Sequence, residues 1–269
     1  MSSSRSRRAE LVHRYRHVAA LFVASTFALT GCGDGGSAAP GDGEISGRVT
    51  VFAAASLTET FTALGAQFEA AHPGVDVVFS FGASSELAEQ IRQGAPADVF
   101  ASAAPKNMQQ VVDSGDITGS PVTFVRNSLE IAVPAGNPGA ITGLSDFGRE
   151  EPIIALCAEQ VPCGAAATKV FESARITPKP DTREPDVKAV LSKVTLGEVD
   201  AALVYRTDVR AAGDKVDGIE FAESASAVNE YPIAPVAHAP NAPAAAAFVD
   251  FIGSDAARPV FADAGFETP

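Results

Sequence analysis

From Arg48 to the carboxyl terminus, short apolar runs alternate with stretches of helical periodicity, and this alternation constrains the fold more than any other property of the chain. Successive βα units bring the chain back to the same sheet edge, so the pattern predicts an α/β fold of mostly parallel sheets flanked by helices. The first unit is VTVFAAASLTE at 49–59. Val49, Val51 and the run to Ala55 read as a buried strand, and Ser56-Leu57-Thr58-Glu59 matches a capping box with Ser56 as N-cap and Glu59 as N3. Leu57, Phe61, Leu64 and Phe68 then share one helix face. Such a junction offers unpaired N–H groups, a hydroxyl and the positive end of a helix dipole. It suits an anion, and it equally suits a helix that is merely capped.

The motif recurs one βαβ step later, where Val75–Phe81 reads as a strand and Ser84-Ser85-Glu86 opens a helix through Leu87 and Ile91. A third strand, Asp98–Ser102, precedes a helix with Pro105 at its first position. A second set of units follows. It comprises a strand at Ile153–Ala158, a turn at Val161–Gly164, a helix at Ala165–Ala174 and a Pro-rich, charged loop at Thr177–Pro185. Asp186 caps a helix that turns Val187, Val190, Leu191 and Val194 inward, and Val199–Tyr205 is a strand with its tyrosine at the carboxyl end. Gly218–Ala222 reads as a short strand, and helices at Pro243–Ile252 and Asp255–Ala262 close the chain. Extended crossings near 125–131 and 229–235 bracket the second set. They predict two lobes, 48–126 with 232–269 and 127–231, joined by two strands around a cleft. Ligands of open α/β sheets bind in the crevice at the strands' carboxyl ends.

Residues 1–31 carry five arginines and then an apolar run from Val18 to Leu29, the order of an export signal and too short to span a bilayer. Leu29-Thr30-Gly31-Cys32 resembles the lipobox of bacterial lipoproteins, which implies acylation of Cys32 and anchoring to the outer face of the cell membrane. Residues 32–47 have the Gly/Ser/Pro composition of a flexible tether. Losing residues 1–31 takes five arginines and one glutamate from 20 basic and 33 acidic residues, leaving a net charge of −17. Nucleic acid is therefore excluded as a partner. A diffuse negative field does not exclude a small anion, because it is screened beyond about 8 Å while a cradle of N–H dipoles acts at contact. Cys157 and Cys163, six positions apart in an exported chain, read as a disulfide. A direct cation site is not expected, since the mature chain keeps only His72 and His238 and neither is near the cysteines in sequence.

AAASLTE at 53–59, SFGASSELAEQI at 80–91, GAPADVFASA at 94–103, VPCG at 161–164, EPDVKAVL at 184–191 and ALVYRTD at 202–208 resemble the periplasmic molybdate-binding proteins of ABC importers. The resemblance implies a two-lobed periplasmic-binding-protein fold of type II and a monomer that binds molybdate or tungstate without a cofactor. It further implies delivery of the oxyanion to a permease and its ATPase, and no enzymatic activity. Position by position, it implicates the hydroxyls of Ser56, Ser84 and Tyr205 and the backbone N–H groups of Cys163 and Val187 as ligand donors. Two other readings compete. One is a binding protein for another tetrahedral oxyanion such as sulfate. The other is a secreted hydrolase, for which Ser56 lacks a G-x-S-x-G elbow and neither histidine has a fitting context.

Overall fold

The computed structural model describes residues 44–269. The expected export signal, the lipidated Cys32 and most of the tether lie outside the described residues. Among the described residues, no helix is long and apolar enough to cross a membrane.

Two five-stranded sheets form two lobes. In the first, β1 (Gly47–Ala54), β2 (Val75–Gly82) and β3 (Val99–Ala101) are joined by β10 (Asn229–Pro235) and β4 (Val122–Asn127), in the order β2-β1-β3-β10-β4. β1 runs parallel to β2 and β3, whereas β10 is antiparallel to both β3 and β4. The second sheet has order β7-β6-β8-β5-β9, built from β5 (Leu129–Pro134), β6 (Ile154–Cys157), β7 (Thr182–Glu184), β8 (Ala201–Tyr205) and β9 (Val216–Ile219). In each sheet four strands run in one direction and a single strand, β10 or β5, runs against them, so both lobes gather carboxyl-terminal strand ends at one sheet edge.

The helices are α1 (Thr58–Ala71), α2 (Ser84–Arg92), α3 (Pro105–Asp113), α4 (Pro162–Ala174), α5 (Val187–Thr195), α6 (Arg206–Ala212), α7 (Ala242–Ile252) and α8 (Arg258–Ala264). One face of the first sheet buries Phe61, Phe68 and Phe248, with Phe68 and Phe248 edge-to-face at 5.3 Å. The other face buries Phe52, Leu87, Phe100 and Met108. The second lobe has its own core, around Ile131, Phe147, Ile154, Val170, Val190 and Leu203. Sheets covered on both faces need near-continuous apolar strands, and LVY at 203–205 and FAAA at 52–55 supply them.

Four local readings are corrected. The chain leaves β1 through a 3₁₀ turn at Ala55–Leu57, so α1 starts at Thr58 and Ser56 is not its cap. The VPCG segment is not a free turn, because Pro162 occupies the first turn of α4 and Cys163 and Gly164 are helical. The loop at 177–185 contains the edge strand β7, whose three residues, followed by a proline, leave no periodicity to read. The late strand β9 ends at Ile219, ahead of a 3₁₀ segment at Ala222–Ala227.

Candidate functional site

All five residues singled out from the sequence meet. Ser56 and Ser84 of the first lobe and Cys163, Val187 and Tyr205 of the second line one cavity at the carboxyl ends of the parallel strands. Ser84 and Val187 are the first residues of α2 and α5, Cys163 is in the first turn of α4, and Ser56 lies in the 3₁₀ turn that leads into α1. Four helical N-termini therefore face one point, each with unpaired N–H groups and roughly +0.5 of an elementary charge. The cavity measures about 20 Å³, little above the ~10–15 Å³ that a single water needs. A groove of about 530 Å³ also runs between the lobes, past Lys106, Arg126 and Lys169, but Ser56, Ser84 and Tyr205 are not part of it.

The hydroxyls are held from behind. Ser84 Oγ accepts the Ala103 N–H at 2.9 Å. The Tyr205 hydroxyl accepts from Asn229 Nδ2 at 3.0 Å, and the same amide donates to the Ala103 carbonyl at 2.7 Å. Ser56 Oγ lies 2.9 Å from the hydroxyl of Tyr231, which Asn127 Nδ2 approaches at 3.5 Å. Tyr205 and Tyr231 are both buried, with ring centroids 6.1 Å apart. Burial, with Tyr231 and Asp208 close by, pushes the Tyr205 phenol well above its ordinary range; burial also raises Tyr231. Both therefore keep their hydrogens at any physiological pH. Tyr231, Asn127 and Asn229 were not legible as site residues, because each sits in a strand whose local pattern shows only extended chain.

Acidic groups close by are turned away from the cavity. Asp186 lines it, but its carboxylate caps α5 by accepting from Lys188 N at 2.8 Å and Ala189 N at 2.9 Å. Glu59 does not fold back on its own helix as the capping-box reading requires. Its carboxylate binds Lys188 Nζ of the other lobe. Asp208, fully buried, accepts the Tyr205 N–H at 3.1 Å through Oδ2. Its Oδ1 lies 3.0 Å from Lys188 Nζ, off the line of a hydrogen bond, so that oxygen has charge compensation but no hydrogen-bond partner.

The expected disulfide joins Cys157, at the end of β6, to Cys163, with Cα atoms 5.8 Å apart. It ties the loop to the first turn of α4. Gly164 completes this packing, since a Cβ there would run into the Ala158 carbonyl. Among the described residues, no group of three or more His, Cys, Asp or Glu is placed to hold a metal ion.

Residues 49–267 match the family model described as bacterial extracellular solute-binding protein. The molybdate-binding protein ModA of Mycobacterium tuberculosis (strain ATCC 25618 / H37Rv) is 39% identical over 254 residues, covering 94% of this chain and 96% of its own. The molybdate-binding protein ModA of Escherichia coli (strain K12) is 36% identical over 235 residues, covering 82% of this chain and 89% of its own. The periplasmic molybdate-binding protein of Azotobacter vinelandii superposes with a TM-score of 0.71 at 21% identity, over 82% of this chain and 99% of its own, a likeness of fold. The chain thus belongs to the bacterial extracellular solute-binding protein family.

Proposed function

We propose that this protein is an extracytoplasmic solute-binding lipoprotein that captures molybdate, and tungstate with it, and hands it to an ABC permease and its ATPase. In this reading a monomer anchored through Cys32 holds the oxyanion between lobe 1 (48–126 with 232–269) and lobe 2 (127–231). The observation that carries it is the convergence of Ser56, Ser84, Cys163, Val187 and Tyr205 on a single small cavity. Three hydroxyls and two first-turn N–H groups make a neutral set of donors. A hydrogen bond to a charged partner contributes about 1.5–3 kcal/mol. Five of them offset much of the cost of association and support affinity of about −8 kcal/mol or better.

Two relatives at 39% and 36% identity are named for molybdate, which supports the choice of ligand over sulfate. Binding rather than hydrolysis is supported by the serines' surroundings. Ser56 Oγ meets a tyrosine hydroxyl, while His72 packs on Phe68 at 4.5 Å, on the far end of α1. Calorimetric titration with molybdate, tungstate, sulfate and phosphate tests the reading. Heat is expected from the first two, with sulfate at least about 100-fold weaker, a difference of about 2.7 kcal/mol. No heat from any oxyanion, or tighter binding of sulfate, overturns it. Cys32→Ser tests the anchor, and undiminished membrane retention of the processed variant rules it out.

A further inference from the structure

Asn127 and Asn229 face each other in register across β4 and β10, where the chain crosses between the lobes, and both are buried. Backbone groups fix the direction of each amide. The Ala103 carbonyl only accepts, so the group 2.7 Å from it must be Asn229 Nδ2. That nitrogen also reaches the Tyr205 hydroxyl at 3.0 Å, and the tyrosine oxygen must accept. Similarly, the Ser128 N–H only donates, so it is Asn127 Oδ1 that receives it at 3.0 Å. Asn127 Nδ2 is then the group that reaches Thr207 Oγ1 at 2.9 Å and the Tyr231 hydroxyl at 3.5 Å. Ala103 uses both of its backbone groups: its carbonyl orients Asn229, and its N–H occupies Ser84 Oγ at 2.9 Å.

We propose that Asn229 is a positioning residue that sets the hydrogen-bond polarity of the anion pocket through Tyr205, with Ala103 doing the same for Ser84. The inference rests on the oxyanion reading and extends it to ligand protonation. With one lone pair of each oxygen engaged by a protein donor, the two hydroxyls keep their hydrogens free to be donated and have less acceptor capacity left. A fully deprotonated dianion is satisfied by such a pocket. An anion that still carries a proton finds fewer free acceptors for it and is held less tightly. Asn229 also spans the lobes, joining Ala103 of the first to Tyr205 of the second, so it holds this polarity when the lobes are together.

A double-mutant cycle tests it. In Asn229→Ser, the side chain is one bond too short to reach where Nδ2 stood, so the donor to Tyr205 is withdrawn. We expect molybdate affinity to fall about tenfold, the loss of one hydrogen bond, and selectivity over hydrogen phosphate to narrow. In a Tyr205→Phe background the same change should cost less than about twofold, because the group through which it acts is gone. Asn229→Asp presents an acceptor to Tyr205, draws its hydrogen away from the cavity and should cost about 100-fold or more. Should that variant fail to fold, the serine cycle alone decides. Equal losses from Asn229→Ser in both backgrounds, with selectivity unchanged, would assign Asn229 to the fold and overturn the inference while leaving the site reading intact. A wild-type protein that binds no oxyanion overturns the site reading itself.

Discussion

Lys188 Nζ lies 2.8 Å from both carboxylate oxygens of Glu59, a residue of the other lobe, and 3.0 Å from Oδ1 of Asp208. Lys188 directly follows Val187, and Glu59 lies one helical turn beyond Ser56, so the ion pair joins the lobes beside the cavity. Burial works against the Lys188 charge, but Asp208 and Glu59 outweigh it and raise its pKa above the usual lysine value. A chain with a large negative charge has thus placed a cation beside the cavity, with its charge met by Glu59 and Asp208.

Glu59→Gln removes the cross-lobe charge. Glu59 is half exposed, and such pairs contribute about 0–1 kcal/mol, so the melting temperature should barely move. Molybdate dissociation should accelerate about 2–5-fold and lose part of its salt dependence. Stopped-flow traces at low and high salt measure both, and unchanged traces would show that the pair is no latch.

Lys188→Met instead strands Asp208, at a cost of about 3 kcal/mol or more. Burial already raises the Asp208 carboxyl above the ordinary aspartate value, with Lys188 pulling it down. A raised carboxyl binds its proton more tightly in the folded state, so its penalty applies above the folded pKa and is relieved as pH falls through it. The variant should therefore recover stability, more than wild type does, as pH is lowered toward the unfolded aspartate value of 3.8. For wild type, the raised Lys188 keeps its contribution below the unfolded value of 10.5 and loses it only as pH climbs through the folded one. Urea melts at several pH values compare the two.

Tyr205 and Tyr231 are the two tyrosines beyond the signal segment, and both are buried. Their raised phenols hold the proton in the folded state, so each loses stabilising weight only above the unfolded value of 10.0. Tyrosinate absorbance of the mature protein should stay absent until alkali unfolds it. Molybdate affinity should be flat between about pH 6 and 9. A folded protein that ionises with an ordinary midpoint would show that the phenols are solvated.

Ser56→Ala should weaken molybdate by about 1.5–3 kcal/mol. The fold should lose about 1 kcal/mol as well, because the Tyr231 hydroxyl loses its 2.9 Å partner. A double variant with Tyr231→Phe separates this from a capping effect. If Ser56→Ala is as destabilising there as in wild type, the hydroxyl pair is not the source.

Replacing Cys157 and Cys163 with serine opens a small loop, for which chain entropy gives about 2 kcal/mol. The first turn of α4 then has to be ordered on binding. Affinity should fall and dissociation should quicken, as read by calorimetry and stopped flow. A variant that is less stable but unchanged in both would confine the bond to a structural role.

Much of this protein was legible because strand and helix periodicity are local properties. The βα alternation, the proline opening α3, the Asp186 cap and the five cavity residues all appear within runs of a few residues or in a recognisable motif. The capping box at 56–59 shows the limit of that logic. The residues of the pattern are there, yet α1 starts only at Thr58, the Ser56 hydroxyl finds Tyr231, 175 positions away, and Glu59 finds Lys188, 129 away. β7 escaped notice because three residues beside a proline form a strand only when β6 supplies the ladder.

The sequence by itself determined the α/β alternation, which follows from side-chain periodicity, and its resemblance to molybdate-binding proteins singled out the five residues that the structure brings to one cavity. Only the tertiary structure decided which way the donors' hydrogens point and which charges meet. Those depend on Asn127, Asn229, Tyr231 and Lys188, whose partners lie on other elements, and hydrogen-bond polarity exists only once a backbone carbonyl such as that of Ala103 has been brought opposite an amide.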